Sequence, residues 1–189
     1  MLSSKSMRSI NRRTFFIQSA GIGLSLAASK VRAKSLNERL NVGFIGLGGR
    51  GKELLSHFGN LPDVRIAALC DADRQNLSRV GDSHRGVKTY VDLRELIDDA
   101  DIDAVAVATC NHWHALATIW ACSAGKDVYV EKPLSHSHWE GQQVVRAARK
   151  YDRIVQVGIQ QRSDPLQTEI KDYLHSQQAL GAIQHVQVC

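Results

Sequence analysis

The stretch from Asn41 to Asp71 limits the possible folds of this chain more than any other. An apolar strand (Val42, Phe44, Ile45) runs into Gly46-Leu47-Gly48-Gly49-Arg50-Gly51, opens a helix, and leads to a second strand, Val64 to Cys70, that ends in Asp71. Strand, glycine turn, helix, strand and terminal acid together make a crevice suited to a dinucleotide. Gly46 permits the tight turn, Gly48 lets the backbone approach a pyrophosphate, and Gly51 lets the helix pack against the strand. The helix start leaves N–H groups for the phosphates. Asp71 is placed to accept ribose hydroxyls and to repel a 2′-phosphate, which favours NAD over NADP. The plainer alternative is a glycine-rich turn in some other α/β protein, with Asp71 as a solvated loop acid.

The rest of the pattern agrees with a layered α/β fold. Asp73 to Val80 reads as a helix, Lys88 to Tyr90 as a short strand, and Asp92 to Asp99 as a helix opened by Asp92 with Glu95 three residues on. The run Asp103 to Thr109 is small and apolar throughout, as a strand buried on both faces would be. A helix from Trp113 to Ala124, a strand from Asp127 to Val130, a helix from the capping box Ser137-His138-Trp139-Glu140 to Lys150, and a strand from Ile154 to Val157 follow. Alternation of this kind predicts a doubly wound parallel sheet of Rossmann type over residues 34–160. Beyond it, Asp164 to Ser176 reads as a linker helix and Ala182 to Val188 alternates like a strand with one wet face. Residues 161–189 are therefore expected to be the truncated start of a second α/β domain.

The first 33 residues hold Lys5, Arg8, Arg12, Arg13, Lys30 and Arg32 and no acid. Asn11-Arg12-Arg13-Thr14-Phe15-Phe16-Ile17 is a twin-arginine pattern, followed by a weakly apolar stretch from Phe15 to Ala28. At ~1.5 Å per residue that stretch is too short for a ~30 Å hydrocarbon core, so no permanent membrane anchor is expected. Cleavage after Ala33 and folded export to the periplasm by the twin-arginine machinery are the expectation; a disordered basic N-terminus is the alternative. The six basic residues account for the net charge of +5: without them eighteen Lys and Arg face 19 Asp and Glu. A balance near minus one gives no electrostatic case for nucleic acid. Cys70, Cys110, Cys122 and Cys189 lack metal spacing, and in the usual strand order 3-2-1-4 Cys70 and Cys110 end strands that flank the first, too far apart for a disulfide. Free thiols are expected.

Four segments, Gly46 to Gly51, Cys70-Asp71-Ala72-Asp73, Ala108-Thr109-Cys110-Asn111-His112-Trp113-His114 and Val130-Glu131-Lys132-Pro133, together resemble the Gfo/Idh/MocA family of glucose-fructose oxidoreductase and inositol dehydrogenase. The resemblance covers residues 40–189. It implies an NAD-dependent oxidoreductase acting on a sugar or polyol, with a second domain whose large sheet bears the substrate and much of an oligomer interface, so a full-length form would be a homo-oligomer. It places Glu131 and Lys132 beside the nicotinamide ribose and the substrate, with Lys132 as the catalytic group. An ammonium beside a carbinol oxygen orients it and stabilises charge that develops as hydride leaves. The cofactor set it implies is Gly46, Leu47, Gly48, Gly49, Arg50, Gly51, Asp71, Thr109, Asn111, His114, Glu131, Lys132 and Gln161. Cys110 stands where the family often has proline.

As bare residues, Asn111 or His112 could equally cap a helix, Glu131-Lys132 could be a solvated strand-end pair, and Gln160, Gln161 and Arg162 could be a polar linker. His112-x-His114 and His136-x-His138 follow neighbouring strands, but no cysteine or carboxylate stands at ligand spacing with them, so no metal site is expected. Two other functions stay open: a glycosidase of the same family that retains its NAD, and a nucleotide-binding fragment without catalysis.

Overall fold

The structure, a computed structural model, describes residues 39–187. The twin-arginine pattern, the apolar stretch behind it and the cleavage point lie outside the described residues, as do Val188 and Cys189. Six strands form one parallel sheet: β1 (Leu40–Ile45), β2 (Val64–Cys70), β3 (Lys88–Tyr90), β4 (Ala104–Val107), β5 (Asp127–Glu131) and β6 (Val155–Gly158). Their order is β3-β2-β1-β4-β5-β6. Between them run α1 (Gly49–Gly59), α2 (Arg74–Asp82), α3 (Leu93–Asp98), α4 (Asn111–Ser123) and α5 (His138–Lys150). The doubly wound α/β expectation holds.

Side-chain alternation sends alternate strand residues to two cores. Val42, Phe44, Leu69 and Ala106 pack on one face with Leu54 and Leu55 of α1 and Leu77 and Val80 of α2. Ile45, Cys70, Val105, Val107, Val128 and Val130 pack on the other with Leu96 and Ile97 of α3 and Ala117 and Ala121 of α4. Burying a side chain such as Phe44 or Leu69 contributes about 1.5–3 kcal/mol. Local signals set the helix ends. Asp73 accepts from the N–H groups of Gln75 and Asn76 at the start of α2, and Ser137 and Glu140 close a reciprocal capping box on α5. The strand expected over Asp103 to Thr109 is shorter, and α4 begins at Asn111 rather than Trp113.

The C-terminal expectations change more. Asp164 to Ser176 is not one helix: a 3₁₀ turn over Gln160–Ser163 precedes α6 (Pro165–Lys171), which ends in a π-helical turn over Asp172–Ser176. Asp164 caps α6, and Pro165 stands at its first turn, where a missing N–H costs nothing. Residues 182–187 form no strand, although their alternation predicts one. A strand is held by a ladder, and none of the described strands lies beside this segment; Ile183 and Val186 are exposed. Among the described residues no helix is long and apolar enough to cross a membrane.

Candidate functional site

Strand order reverses between β1 and β4, and the loops beyond their C-terminal ends diverge into a crevice. A groove of about 910 Å³ opens there, lined by the ends of β1 and β2, the loop after β3 and the start of α4. Gly46 turns the chain with φ +89°, and a Cβ on it would stand 2.7 Å from the carbonyl oxygen of Ala108. A Cβ on Gly51 would come within 1.9 Å of the Gly46 oxygen, so the helix can pass the turn only as glycine. Gly48 and Gly49 differ: a Cβ there would meet nothing within 4 Å. No side chain caps α1 at Gly48. Its first-turn N–H groups and the open glycine surface fit a diphosphate.

Asp71 closes the turn from the side. Its Oδ2 accepts from the N–H of Leu47 (2.7 Å) and the amide of Asn76 (2.9 Å), and its Oδ1 from the N–H of Asp73 (2.9 Å). One carboxylate thus ties the glycine turn to the end of β2 and still has lone-pair capacity for a ribose hydroxyl. Gly46, Gly48, Asp71 and Thr109 line the groove; Leu47 packs its side chain in the core and offers only backbone.

The β4 loop is held differently from the sequence expectation. His114 is 2% exposed, with Nδ1 2.7 Å from the carbonyl oxygen of Pro133 and Nε2 3.0 Å from that of Thr109. It joins the loop after β4 to the loop after β5 and does not line the groove. Cys110 occupies the cap of α4, with no side-chain bond to the first turn, so neither Asn111 nor His112 caps it. Asn111 is exposed outside the groove lining, whereas His112 lines it. Cys70, Cys110 and Cys122 are free thiols. Among the described residues no group of three or more His, Cys, Asp or Glu could hold a metal ion.

Past β4, the carboxylate of Glu131 is buried at the end of β5. Its Oε1 accepts from Arg50 Nε at 2.7 Å and from the Tyr129 hydroxyl at 3.5 Å, and its Oε2 from the N–H of Lys132 at 3.2 Å. Gly158 makes the room, since a Cβ on it would stand 2.9 Å from Glu131 Oε1. Hydrogen bonds to Glu131 first, then to Glu53, hold Arg50 well above even the usual guanidinium range; burial and the Glu131 charge push the Tyr129 hydroxyl up. The Gln160 amide, in the orientation that satisfies both of its partners, donates to the Gly158 carbonyl (2.6 Å) and accepts from Arg50 Nη2 (3.2 Å). Gln160 reaches this cluster; Gln161, expected to contact the cofactor, is exposed in the same 3₁₀ turn. Lys132 is exposed at the end of β5.

Residues 40–159, well over half of the chain, match the family described as "Oxidoreductase family, NAD-binding Rossmann fold". The chain belongs to the Gfo/Idh/MocA family. It is 34% identical over 139 residues to inositol 2-dehydrogenase 2 of Saccharopolyspora erythraea, covering 72% of this chain and 41% of that one. A glycosyl hydrolase family 109 protein of Shewanella baltica is 32% identical over 174 residues, covering 76% and 38%. The crystal structure of myo-inositol 2-dehydrogenase from Lactobacillus plantarum superposes with a TM-score of 0.71 at 28% identity, over 77% of this chain and 43% of that one. The chain spans about two-fifths of the length of these relatives. Its matched region is the NAD-binding Rossmann domain of the family.

Several groove residues have no role assigned by sequence alone. Asn76, Arg94, Trp113 and Trp120 all line it. Trp113 and Trp120 stand seven residues apart, on one face of a helix, which is the signal that could have paired them.

Proposed function

We propose that this chain is the cofactor-binding part of an exported dehydrogenase that takes hydride from a carbinol carbon of a sugar or polyol, using NAD in preference to NADP. The observation that carries the reading is the division of one sheet edge about β1, with Asp71 and the groove on the β2 side and Glu131-Lys132 on the β5 side. The uncapped start of α1 would hold the diphosphate of a dinucleotide between these two sides. When bound, NAD supplies the hydride acceptor. Asp71 would orient the adenosine ribose and the α1 turn would hold the diphosphate, while Lys132 Nζ would donate a hydrogen bond to the substrate oxygen, stabilising the charge there as the hydroxyl proton passes to water and the carbon gives up its hydride. Arg50, held by Glu131, keeps the glycine turn and the end of β5 in register.

Support for the substrate class comes from the inositol dehydrogenase relative, and for export from Asn11 to Ile17. Calorimetry tests the first step: NAD binds the chain, and a chain that binds no NAD overturns the reading. No described residue closes over the exposed Lys132, and positioning is worth up to ~7–11 kcal/mol of barrier. Turnover by these 189 residues is therefore expected to be slight across sugars and polyols, and whatever NADH forms disappears in Lys132→Met. Polyol-dependent NADH that survives that change removes Lys132 from the chemistry. For export, lysines at Arg12 and Arg13 leave an unprocessed precursor in the cytoplasm, because the signal is read by a receptor and not by charge; normal processing of that variant refutes the assignment.

The likeness to the glycosyl hydrolase family 109 protein favours a second reading, in which NAD stays bound, oxidises a ring hydroxyl transiently and is restored after the aglycone leaves. Release of aglycone from a chromogenic glycoside without accumulation of NADH distinguishes it.

A further inference from the structure

His114 is a buried titratable group that the proposed hydride transfer does not use. Both of its ring nitrogens face carbonyl oxygens, Nδ1 that of Pro133 at 2.7 Å and Nε2 that of Thr109 at 3.0 Å. A carbonyl oxygen only accepts, and a neutral imidazole carries one N–H and one bare lone pair. The neutral ring therefore satisfies one of these oxygens and turns a lone pair toward the other, whereas the imidazolium donates to both. At 2% exposure, bulk water cannot replace the partner that is lost.

The two carbonyls belong to separate loops. Thr109 lines the groove beyond β4 with Ala108 and Cys110, and Pro133 directly follows Lys132 beyond β5. Other titratable groups stand on the elements around the ring. Glu131 is taken up by Arg50, Tyr129 and the Lys132 N–H, and Glu140 of α5 by the N–H groups of His136 and Ser137. Lys132, His136 and His138 are exposed on the β5 side, as are His112 on its own helix and Arg94, Glu95 and Asp98 on α3. Among the described residues none of these bonds to the ring. The first turn of α4 is a poor place for a cation, which leaves the two carbonyls as the groups that hold the proton there.

We propose that His114 is a positioning residue whose proton couples the groove loop at Thr109 to the base of Lys132. With the proton, the ring fastens Thr109 to Pro133; without it, one of the two bonds is gone and the loops move independently. The ring and both carbonyls belong to the fold, so the clamp does not depend on the dinucleotide reading, while its consequence for NAD does. By linkage, a nucleotide that prefers the fastened loops binds the protonated chain more tightly and draws a proton onto the ring.

Ring-nitrogen and backbone amide signals of the 15N-labelled chain, followed by NMR from about pH 5 to 8, test this. At the acid end both ring nitrogens of His114 are expected to carry hydrogen, and the amides of Cys110, Lys132 and Leu134 to shift with the midpoint of the ring. In His114→Gln, which keeps a donor and no charge, those amide shifts vanish. Across the same range the parent is expected to lose about fivefold more affinity for NAD than this variant does, as read by calorimetry. His112 titrates in both chains and cancels from the comparison. Should His114→Gln fail to fold, the parent alone decides, because either both loops share the midpoint of the ring or they do not. A ring that keeps one protonation state throughout, amides that hold still as it titrates, or equal losses of NAD affinity in the two chains overturn the proposal. If the parent binds no NAD while the amides of both loops follow the ring, the dinucleotide reading falls and the clamp stands.

Discussion

Arg50 donates from Nε to the buried carboxylate of Glu131 at 2.7 Å, joining the glycine turn after β1 to the end of β5 across 81 residues of sequence. The two ends differ in exposure: the Arg50 side chain is 32% exposed and that of Glu131 only 5%. Removing the arginine therefore strands a buried carboxylate, whereas an amide at 131 can still accept from Nε. Arg50→Ala is expected to lower unfolding stability by about 2–4 kcal/mol and Glu131→Gln by less than half as much, as read from urea midpoints. Equal losses would mean that the pair is held by packing and not by the charge it buries.

The glycines of the turn separate fold from binding. Gly51→Ala places a Cβ against backbone with no side chain able to yield, and is expected to unfold the turn or cost more than about 3 kcal/mol. Gly48→Ala meets nothing, so it costs no more than the roughly 1 kcal/mol of a poorer helix cap. Yet it fills the approach to the diphosphate and should weaken NAD at least tenfold by calorimetry. A Gly48→Ala chain that binds NAD as its parent does would move the diphosphate off this surface.

Asp71 has two separable roles. As the groove acid it should set NAD ahead of NADP, and Asp71→Ser should narrow that preference by about 1–3 kcal/mol. As acceptor for Leu47, Asp73 and Asn76 it also fastens the turn, so the same change lowers the unfolding midpoint. Equal affinities for the two nucleotides in the unaltered chain would overturn the first role and leave the second.

The thiols should report on the groove. Cys110 is exposed at its lip, while burial raises the thiols of Cys70 and Cys122. Among Cys70, Cys110 and Cys122, iodoacetamide at pH 8 should modify Cys110 first, bound NAD should slow it, and Cys70 should react only on unfolding, by peptide mass spectrometry. Cys70 also predicts a pH slope. Between about 9, the usual thiol value, and about 12 the folded state keeps a proton that the unfolded state has lost, so stability falls as pH rises through that window. The fall from pH 8 to pH 10.5 should be smaller in Cys70→Ala.

What the sequence determined by itself was whatever is written within a few residues. Strand and helix periods, the Gly46 to Gly51 turn, the Asp73 cap and the Ser137-Glu140 box are local, because backbone geometry and capping bonds act over one or two turns. Parallel order followed from their alternation. Tertiary structure alone decided which distant groups meet: Arg50 with Glu131, Asp71 with the Leu47 N–H, and His114 between the carbonyls of Thr109 and Pro133. It put Gln160 beside Arg50, because a 3₁₀ turn leaves β6. It also decided against a strand over 182–187. The segment mixes apolar and polar residues as a half-buried strand can, but a strand exists only where a neighbour completes its hydrogen bonds, and that neighbour is a property of the fold and not of the segment.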